Sequence, residues 1–183
     1  MILSKIFKII TTLSKKNKIP IYAVGGFVRD LLLNKKEFKD IDFVVEGSGI
    51  EFAKYLDEYF RKKSIRMDED SPIFKLNNQA IKGRLVVFED FDTARYLFIN
   101  FKDEVLLELE FAGARSEKYD KNSRKPTVQS TTLEQDLKRR DFTANAMALL
   151  VVKYGDQNFR KYIVDPCGGR DDLKNKILRT PLD

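Results

Sequence analysis

The 183-residue sequence contains no histidine, no tryptophan and one cysteine. Without histidine it lacks the general base of a Ser-His-Asp triad, and the usual zinc sites built from histidine and cysteine are excluded as well. One cysteine agrees with a reducing compartment, and we expect the protein to be cytoplasmic. A metal site in this chain would therefore have to be made from carboxylate oxygens.

Long apolar runs are also missing. The longest is Ala146–Val152, seven residues, far short of the ~20 that a membrane span needs, so we expect no membrane segment. Residues 2–16 carry apolar side chains at helical spacing together with lysines and no acid, a pattern shared with mitochondrial presequences. Since this stretch has no arginine, we interpret it as a helix packed on the domain.

The length and charge of the chain set the remaining limits. Its 183 residues match one domain, 1–183, with the N-terminal helix inside 1–20. Lysine and arginine exceed aspartate and glutamate by 34 to 28, which leaves a net charge of +6. This excess favours a polyanionic partner, although lysine-rich solubility explains it equally well.

A strand, a two-glycine turn and a helix follow one another near the N-terminus. Ile21–Val24 is apolar, Gly25 and Gly26 end the strand, and the pattern predicts a helix over Phe27–Leu33. Free backbone N–H groups and the positive end of the helix dipole favour an anion at such a helix start. Arg29, one turn into the helix, can add a side-chain charge at the same place.

The next predicted strand carries two carboxylates. Side chains alternate along a strand, so Asp40 and Asp42 share one face while Ile41 and Phe43 take the other. Two carboxylates at this spacing repel each other unless a cation lies between them. Carboxylates open to phosphate suit Mg²⁺, and phosphoryl or nucleotidyl transfer is the chemistry that follows.

A second acidic strand is predicted over Val105–Phe111. Its alternation places Val105 and the other apolar residues toward the core, and Glu108 and Glu110 on the opposite face. One of these acids could lie beside the aspartates. The alternative is that both are solvated charges on an exposed sheet face.

Two adjacent arginines follow a predicted helix start. Thr132 can cap this helix together with Gln135, in the manner of a capping box. Successive helical residues lie about 100° apart, so Arg139 and Arg140 cannot both aim at one phosphate. One of them should bind the phosphate, while the other pairs with an acid or meets the backbone of the partner.

The remaining elements are read from periodicity and turn residues. A helix is predicted over Ile50–Lys63, and Ser71-Pro72 is interpreted as a turn. Arg84–Phe88 and Arg95–Phe101 are predicted strands joined by an acidic connection. Ala114–Thr127 is polar and charged and is predicted to be a mobile loop.

These motifs, taken together and in order, carry a resemblance. They are GGFVRDLLL, KDIDFVV, ELEFAGARSEKY, SRKP, LEQDLKRRDFTANAMAL, DPCGGRDDL and LRTPLD. From Ile21 to its end the chain resembles the catalytic head of the class II tRNA nucleotidyltransferases, the CCA-adding enzymes and their bacterial poly(A) polymerase relatives. The resemblance implies an α+β fold, the nucleotidyltransferase head of the DNA polymerase β type, with a small mixed sheet and flanking helices.

The resemblance also implies roles for individual residues. Asp40 and Asp42 are the implied ligands of two Mg²⁺ ions, and Glu110 is a candidate third catalytic carboxylate, with a structural role as the alternative. The residues implied to bind the nucleotide are Gly25, Gly26, Arg29 and Arg140. The residues implied to hold these groups in place are Asp30, Arg139, Asp141 and Asn145.

The implied activity is Mg²⁺-dependent transfer of CMP and AMP from CTP and ATP to the 3′ end of tRNA. Two alternatives stay open: the head of a poly(A) polymerase, and a non-catalytic RNA-binding or assembly subunit. One departure concerns the sheet, because many relatives have Phe-Gly-Thr-Ala where this chain has Phe91-Asp92-Thr93-Ala94. We therefore expect an altered glycine turn there.

A second departure concerns the end of the sequence. The neck that selects the base in the family, and the body and tail that hold tRNA, do not follow LRTPLD in this chain. An excised piece, a partner chain that supplies the neck and body, and a free-standing head with altered activity all remain open. We expect Ile177–Leu182 to expose apolar surface meant for a neck, with a tendency to self-associate.

Overall fold

The computed structural model describes residues 2–118 and 127–181. The helices in these ranges are α1 (Ile2–Asn17), α2 (Gly26–Leu32), α3 (Gly49–Lys62), α4 (Leu133–Lys138) and α5 (Gly169–Asn175). The strands are β1 (Ile21–Val24), β2 (Asp40–Val45), β3 (Arg66–Asp68), β4 (Ser71–Leu76), β5 (Gln79–Phe88), β6 (Thr93–Ile99), β7 (Val105–Gly113), β8 (Arg115–Lys118), β9 (Thr127–Ser130), β10 (Ala148–Leu150) and β11 (Ile163–Val164).

Nine of the described strands form one mixed sheet in the order β11-β10-β1-β2-β7-β6-β5-β4-β3. Neighbouring strands are antiparallel except for β2 and β7, which run parallel. The predicted α+β class and mixed sheet are confirmed. The sheet is broad, and β2 lies near its centre between β1 and β7.

Helices α1 and α3 close one face of the sheet. Ile6, Phe7 and Ile10 of α1 are buried, which confirms that the N-terminal helix packs on the domain. On α3, Phe52 and Phe60 are buried at helical spacing, as the apolar stripe predicts. This covered side is the closed face, and its apolar side chains form the main core.

The opposite side, the open face, is covered only locally. Helix α4 packs there through Leu133 and Leu137 against Val24 and Val44, forming a second, smaller apolar cluster. This contact brings the segment that follows α4 next to the turn after β1. It is the packing that places the two arginines near the glycines.

One prediction in the middle of the chain is wrong, and one predicted strand is too short. Ser71 and Pro72 begin β4 instead of forming a turn, because both are buried, and Pro72 lies near the strand's start, where the lost N–H costs least. The turn signal missed there is Asn77-Asn78, whose φ values of 51° and 64° are those of a two-residue hairpin. This hairpin joins β4 to a β5 that is longer than predicted.

Val105 does not face the core as predicted; it is 48% exposed. The register between β6 and β7 shifts between Phe98 and Ile99, so the alternation read from the rest of the strand does not extend to its first residue. Leu107, Leu109 and Phe111 do face the core.

The segment predicted as one mobile loop, Ala114–Thr127, is partly regular. Arg115–Lys118 pairs antiparallel with Thr127–Ser130 as a two-stranded sheet, so the loop prediction is wrong at both ends. Residues 119–126 lie outside the described residues.

Asp92 explains the altered glycine turn. It adopts a left-handed conformation with φ 44°, which Asp tolerates better than most residues. Its carboxylate accepts hydrogen bonds from the Ser48 hydroxyl at 2.5 Å and from the backbone N–H groups of Gly49 and Ile50 at 3.2 and 3.3 Å. The side chain that glycine lacks therefore binds the N-terminus of α3, where a negative charge is favoured.

The C-terminal end exposes apolar side chains as expected. Ile177 is 50% exposed and Leu178 is 73% exposed, whereas Leu182 lies outside the described range. Within the described ranges, no helix combines the length and apolar character required to cross a membrane.

Candidate nucleotide and metal site

Asp40 and Asp42 lie on the open face at the centre of the sheet. Both are exposed, while Ile41 and Phe43 between and after them are 1% exposed on the closed face. Within the described ranges, neither aspartate forms a hydrogen bond or salt bridge with another side chain. The sheet therefore presents two neighbouring carboxylates that no described arginine or lysine binds directly, although Arg140 lies close enough to Asp42 to act on its charge.

A cleft of about 420 Å³ contains both aspartates. Its walls are Gly26, Phe27, Arg29, Asp30, Glu37, Phe38, Lys39, Asp40 and Asp42. The structure thus brings the predicted carboxylates together with the second glycine and the arginine of the turn. The wall formed by residues 37–39 was not predicted, because it lies in a connection without periodicity.

The surroundings of Asp42 oppose its ionisation. Partial burial in the cleft raises the pKa of this carboxyl, and the charges of Glu110 and Asp40 raise it further, whereas Arg140 and Arg95 act in the opposite direction. The net effect is a raised pKa of Asp42. A bound cation would relieve this repulsion and favour the ionised form.

Glu110 lies directly beside Asp42 in the sheet, since the parallel pairing of β2 with β7 sets these two residues in register. On its other side, Arg95 Nε lies 2.7 Å from a Glu110 carboxylate oxygen and 3.2 Å from one of Glu108. Within the described residues, no group of three or more His, Cys, Asp and Glu side chains is arranged to hold a metal ion. Glu110 is thus neutralised by Arg95 here, and its role as a third carboxylate stays a prediction.

The glycine turn is shaped by its neighbours. Gly25 has φ 68° and ψ −136°, a conformation that side chains disfavour. A Cβ built on it would lie 3.1 Å from Arg140 Nη1 and 3.7 Å from an Asp42 carboxylate oxygen. Glycine at this position lets the Arg140 guanidinium approach both the turn and the Asp42 carboxylate.

Arg29 is held by two side chains. Its Nε donates to Asp30 at 2.9 Å and its Nη1 donates to Asn145 Oδ1 at 2.8 Å. Asn145 in turn donates from Nδ2 to Asp141 at 3.1 Å. Burial alone would raise the pKa of Asp30, but hydrogen bonds from Arg29 and Lys35 outweigh it and lower the pKa. Of the four predicted supporting residues, Asp30 and Asn145 contact Arg29, Asp141 contacts Asn145, and Arg139 contacts Asp136 instead.

The two adjacent arginines converge on a residue that the sequence analysis missed. Arg139 Nη2 and Arg140 Nη2 lie 2.7 and 3.3 Å from the two carboxylate oxygens of Asp136, which is 1% exposed. In helical geometry the positions i+3 and i+4 both neighbour position i, so the two long side chains meet Asp136 although they lie about 100° apart. Arg139 makes the shorter contacts, and Arg140 extends to Gly25. The i, i+3 and i, i+4 spacing could have revealed Asp136.

A second missed contact supports the loop that carries Asn145. Buried Asp172 accepts hydrogen bonds from the Thr143 hydroxyl at 2.6 Å and from Arg179 Nε at 3.0 Å. The Thr143 N–H donates to the Arg179 carbonyl at 2.8 Å. These bonds tie α5 and the C-terminal segment to the short turn after the arginines.

Comparisons with known proteins show what the chain is similar to. The chain is 40% identical over 160 residues to the A-adding tRNA nucleotidyltransferase of Aquifex aeolicus, covering 86% of this chain and 15% of that protein. It is 32% identical over 171 residues to the mitochondrial CCA tRNA nucleotidyltransferase of Saccharomyces cerevisiae, covering 92% and 28%. The chain thus spans less than a third of the length of either relative.

Solved structures of tRNA nucleotidyltransferases are also similar to this chain. The chain is similar to an apo form of a CCA-adding enzyme, with a TM-score of 0.69 and 32% identity, covering 97% of this chain and 35% of that one. It is similar, with a TM-score of 0.64 and 35% identity, to a tRNA nucleotidyltransferase complexed with a primer tRNA and an incoming ATP analog, covering 94% and 39%. The family model for the poly A polymerase head domain matches residues 21–179. With the glycine turn, the paired aspartates and the arginine pair all inside that match, this chain belongs to the poly A polymerase head domain family.

Proposed function

We propose that the chain is the catalytic head of a Mg²⁺-dependent tRNA nucleotidyltransferase, which transfers CMP and AMP from CTP and ATP to the 3′ end of tRNA. We assign base selection and most of the tRNA binding to neck and body regions outside this chain. These regions belong to the same polypeptide or to a partner chain. A reducing, cytoplasmic location is part of the proposal, since one cysteine suits it.

The observation that carries the proposal is a contrast between carboxylates. Glu110, Asp30 and Asp136 each bind an arginine. Asp40 and Asp42, exposed in the cleft, form no such pair with any described residue. Hard oxygen ligands with room for phosphate and water are what Mg²⁺ prefers, so the donor set fits this ion.

Asp40 and Asp42 are the residues that would hold Mg²⁺, and the bound ion would lower the pKa of the RNA 3′-hydroxyl and offset the charge of the leaving pyrophosphate. Backbone and side-chain groups of this chain position the nucleotide. The N–H groups at the start of α2 and the guanidinium of Arg29 bind the triphosphate, while Arg140, beside Gly25, adds positive charge. Asp30 and Asn145 fix the orientation of Arg29, which lowers the entropy lost on binding.

A transfer assay tests the proposal. The protein is incubated with Mg²⁺, a tRNA that lacks its 3′ CCA, and each labelled nucleotide separately, with Asp42→Ala as the control. Addition of C and then A supports a CCA-adding head, whereas repeated addition of A to many RNAs would favour a poly(A) polymerase.

A binding measurement completes the test, because the base-selecting regions lie outside the chain. Mg²⁺-dependent binding of CTP or ATP that Asp42→Ala removes supports a catalytic head that needs its neck. Metal-independent RNA binding with no nucleotide binding would overturn the proposal in favour of an RNA-binding or assembly subunit.

A further inference from the structure

Another cleft lies on the closed side of the sheet, toward the β3 edge. Its volume is about 470 Å³, and it is bounded by α1, by the end of α3, by Ile65 and by the second half of β4. It shares no lining residue with the cleft that contains Asp40 and Asp42. We call it the lysine groove, because lysines line it on several sides.

One wall of the lysine groove is a face of α1. Lys5, Lys8, Ile9 and Thr12 line it, and their i, i+3, i+4, i+7 spacing is that of a single helix face. The residues of α1 that pack on the sheet, such as Ile6, lie on another side of the helix. The sheet therefore leaves this basic face of α1 uncovered.

The opposite wall is the end of α3, which contributes Tyr59, Phe60 and Lys63. The floor is apolar, since Phe60, Phe74 and Leu76 line the groove and are each 5% exposed or less. Two helix faces thus flank an apolar floor that no described helix covers. Helices pack on one another at about 8–10 Å, so a third helix is an element that fits such a groove.

Accessible apolar side chains are available to that helix on every wall. Ile65 is 57% exposed at the strand side. Ile9 of α1 and Tyr59 of α3 are half-buried. An occupant would therefore remove apolar surface from water at three separate positions.

The charges at the lysine groove have one sign. Among the described residues, no aspartate or glutamate lines it, and none of its lysines forms a salt bridge. These lysines are Lys5, Lys8, Lys63 and Lys75. Positive charge of this kind is complementary to a partner with carboxylates.

The acids nearest to the groove in the sequence lie elsewhere. Asp57 binds Arg61, and Glu58 lies 3.7 Å from Lys62, both within α3. The acidic turn Asp68–Asp70 joins the first half of β4, whereas the groove is lined by the second half. These carboxylates therefore do not supply the counter-charge of the groove lysines.

The same features select among possible occupants. An acyl chain carries one negative charge at one end, whereas the groove has lysines on both α1 and α3. A second copy of this chain offers no suitable helix, because within the described ranges no exposed large apolar side chain lies in α1 to α5. An acidic helix of another protein meets both requirements.

We propose that the lysine groove binds an acidic amphipathic helix of a partner protein. Apolar side chains on one face of that helix pack on Ile9, Tyr59 and Ile65, as in other helix-in-groove complexes. Aspartates or glutamates beside them pair with Lys5 and Lys8, which are one turn apart, and with the lysine on α3. The inference does not depend on the proposed function, since the two clefts share no residue.

The test measures peptide binding without Mg²⁺ or nucleotide. A fluorescent synthetic helix with leucine on one face and glutamate beside it is titrated with the protein, and a second peptide has lysine in place of glutamate. Lys8→Glu is compared with Lys54→Glu: Lys54 is exposed and, at about 100° per residue, lies on the opposite side of α3 from Lys63. Ile65→Ser is compared with Phe101→Ser, at a side chain that is also 57% exposed but lies outside the groove.

Lys8→Glu should weaken binding of the acidic peptide about threefold to tenfold, because an attraction becomes a repulsion. The same variant should bind the lysine peptide more tightly than the unchanged protein does, which a distorted groove would not. Ile65→Ser should weaken binding about threefold to tenfold through lost apolar burial. Both controls should bind as the unchanged protein does, and thermal melts should show that all four variants fold, since all four side chains are exposed.

Absence of acidic-peptide binding, equal affinity for the two peptides, or equal losses in the controls would overturn the inference. Binding of laurate without binding of the peptide would overturn it in favour of a small amphiphile. A dimer that Lys8→Glu dissociates, in sedimentation runs without peptide, would overturn it in favour of a second copy. Failure of the proposed function appears separately, in Mg²⁺-dependent nucleotide binding, which Lys8→Glu should leave unchanged.

Discussion

The two faces of β2 differ in burial and in charge. On the closed face Phe43 stacks on Phe111, with ring centres 4.9 Å apart, and is 1% exposed. On the open face Asp42, its neighbour in sequence, is exposed and carries a raised pKa. Alternate residues of β2 thus serve the stability of the fold and the chemistry of the site. Substitutions one position apart should therefore impair different properties, either stability or activity.

Asp42→Ala should have the largest effect, and it should be on activity alone. If Asp42 holds Mg²⁺ as proposed, its loss removes several kcal/mol of charge stabilisation in the transition state, so transfer should fall about 10³-fold or more. The melting temperature should not fall, because the charge removed is one that the folded state disfavours. Single-turnover transfer and thermal unfolding measure the two quantities.

The control for Asp42→Ala is Lys62→Ala, at a side chain that is 75% exposed. That variant should transfer as the unchanged protein does. Normal turnover by Asp42→Ala would contradict both the site and the division between the faces.

Phe43→Ala should show the reverse pattern. Removal of a buried ring leaves a cavity, and the free energy of unfolding should fall by about 3–5 kcal/mol. Urea unfolding followed by circular dichroism gives the value, with Phe101→Ala as the exposed counterpart. A loss below about 1 kcal/mol would mean that the closed face tolerates the cavity and that the contrast between the faces is weak.

Asp136→Ala should affect both properties. It leaves Arg139 and Arg140 without their shared carboxylate, and unfolding should become easier by about 2–3 kcal/mol, a moderate figure because both arginines are partly exposed. Nucleotide binding should also weaken, since Arg140 loses its orientation. Calorimetric titration with CTP and Mg²⁺ would show this, and an unchanged Kd would remove Asp136 from the site. Glu134→Ala, at a residue that pairs with exposed Lys138, is the matched control.

Asp92 substitutions should give the smallest effect and test the altered turn. Asp92→Ala loses the cap on α3 and keeps a strained left-handed backbone, so stability should fall by about 1–2 kcal/mol. Asp92→Gly loses the same cap without the strain and should be less harmful. Urea midpoints compare them, and equal losses would show that the backbone at this position carries no strain.

Prediction from the sequence was most successful where one period governed a whole element. Alternation placed Asp40 and Asp42 on one face, and helical spacing identified α1 and α3. It failed where burial overrode local preference, as at Pro72, and where a register shift broke the alternation before Leu107.

Periodicity could not predict contacts between segments that are distant in the sequence. Glu110 could be placed on a strand face, but only strand pairing shows that Arg95 binds it. Gly25 was recognised as a turn residue, while the approach of Arg140 that requires a glycine depends on how α4 packs. The residue types at the site were thus predictable, whereas the partners of Glu110, Arg139 and Arg140 were not.

The parallel pairing of β2 with β7 has a consequence for how the protein folds. Every strand from β3 to β6 lies between these two in the chain, so their pairing closes a long loop and must wait for ordering of much of the chain. Asp42 and Glu110 meet only when that loop closes. The proposed metal site should therefore form late in folding, and Mg²⁺ should slow unfolding while leaving early folding events unaffected.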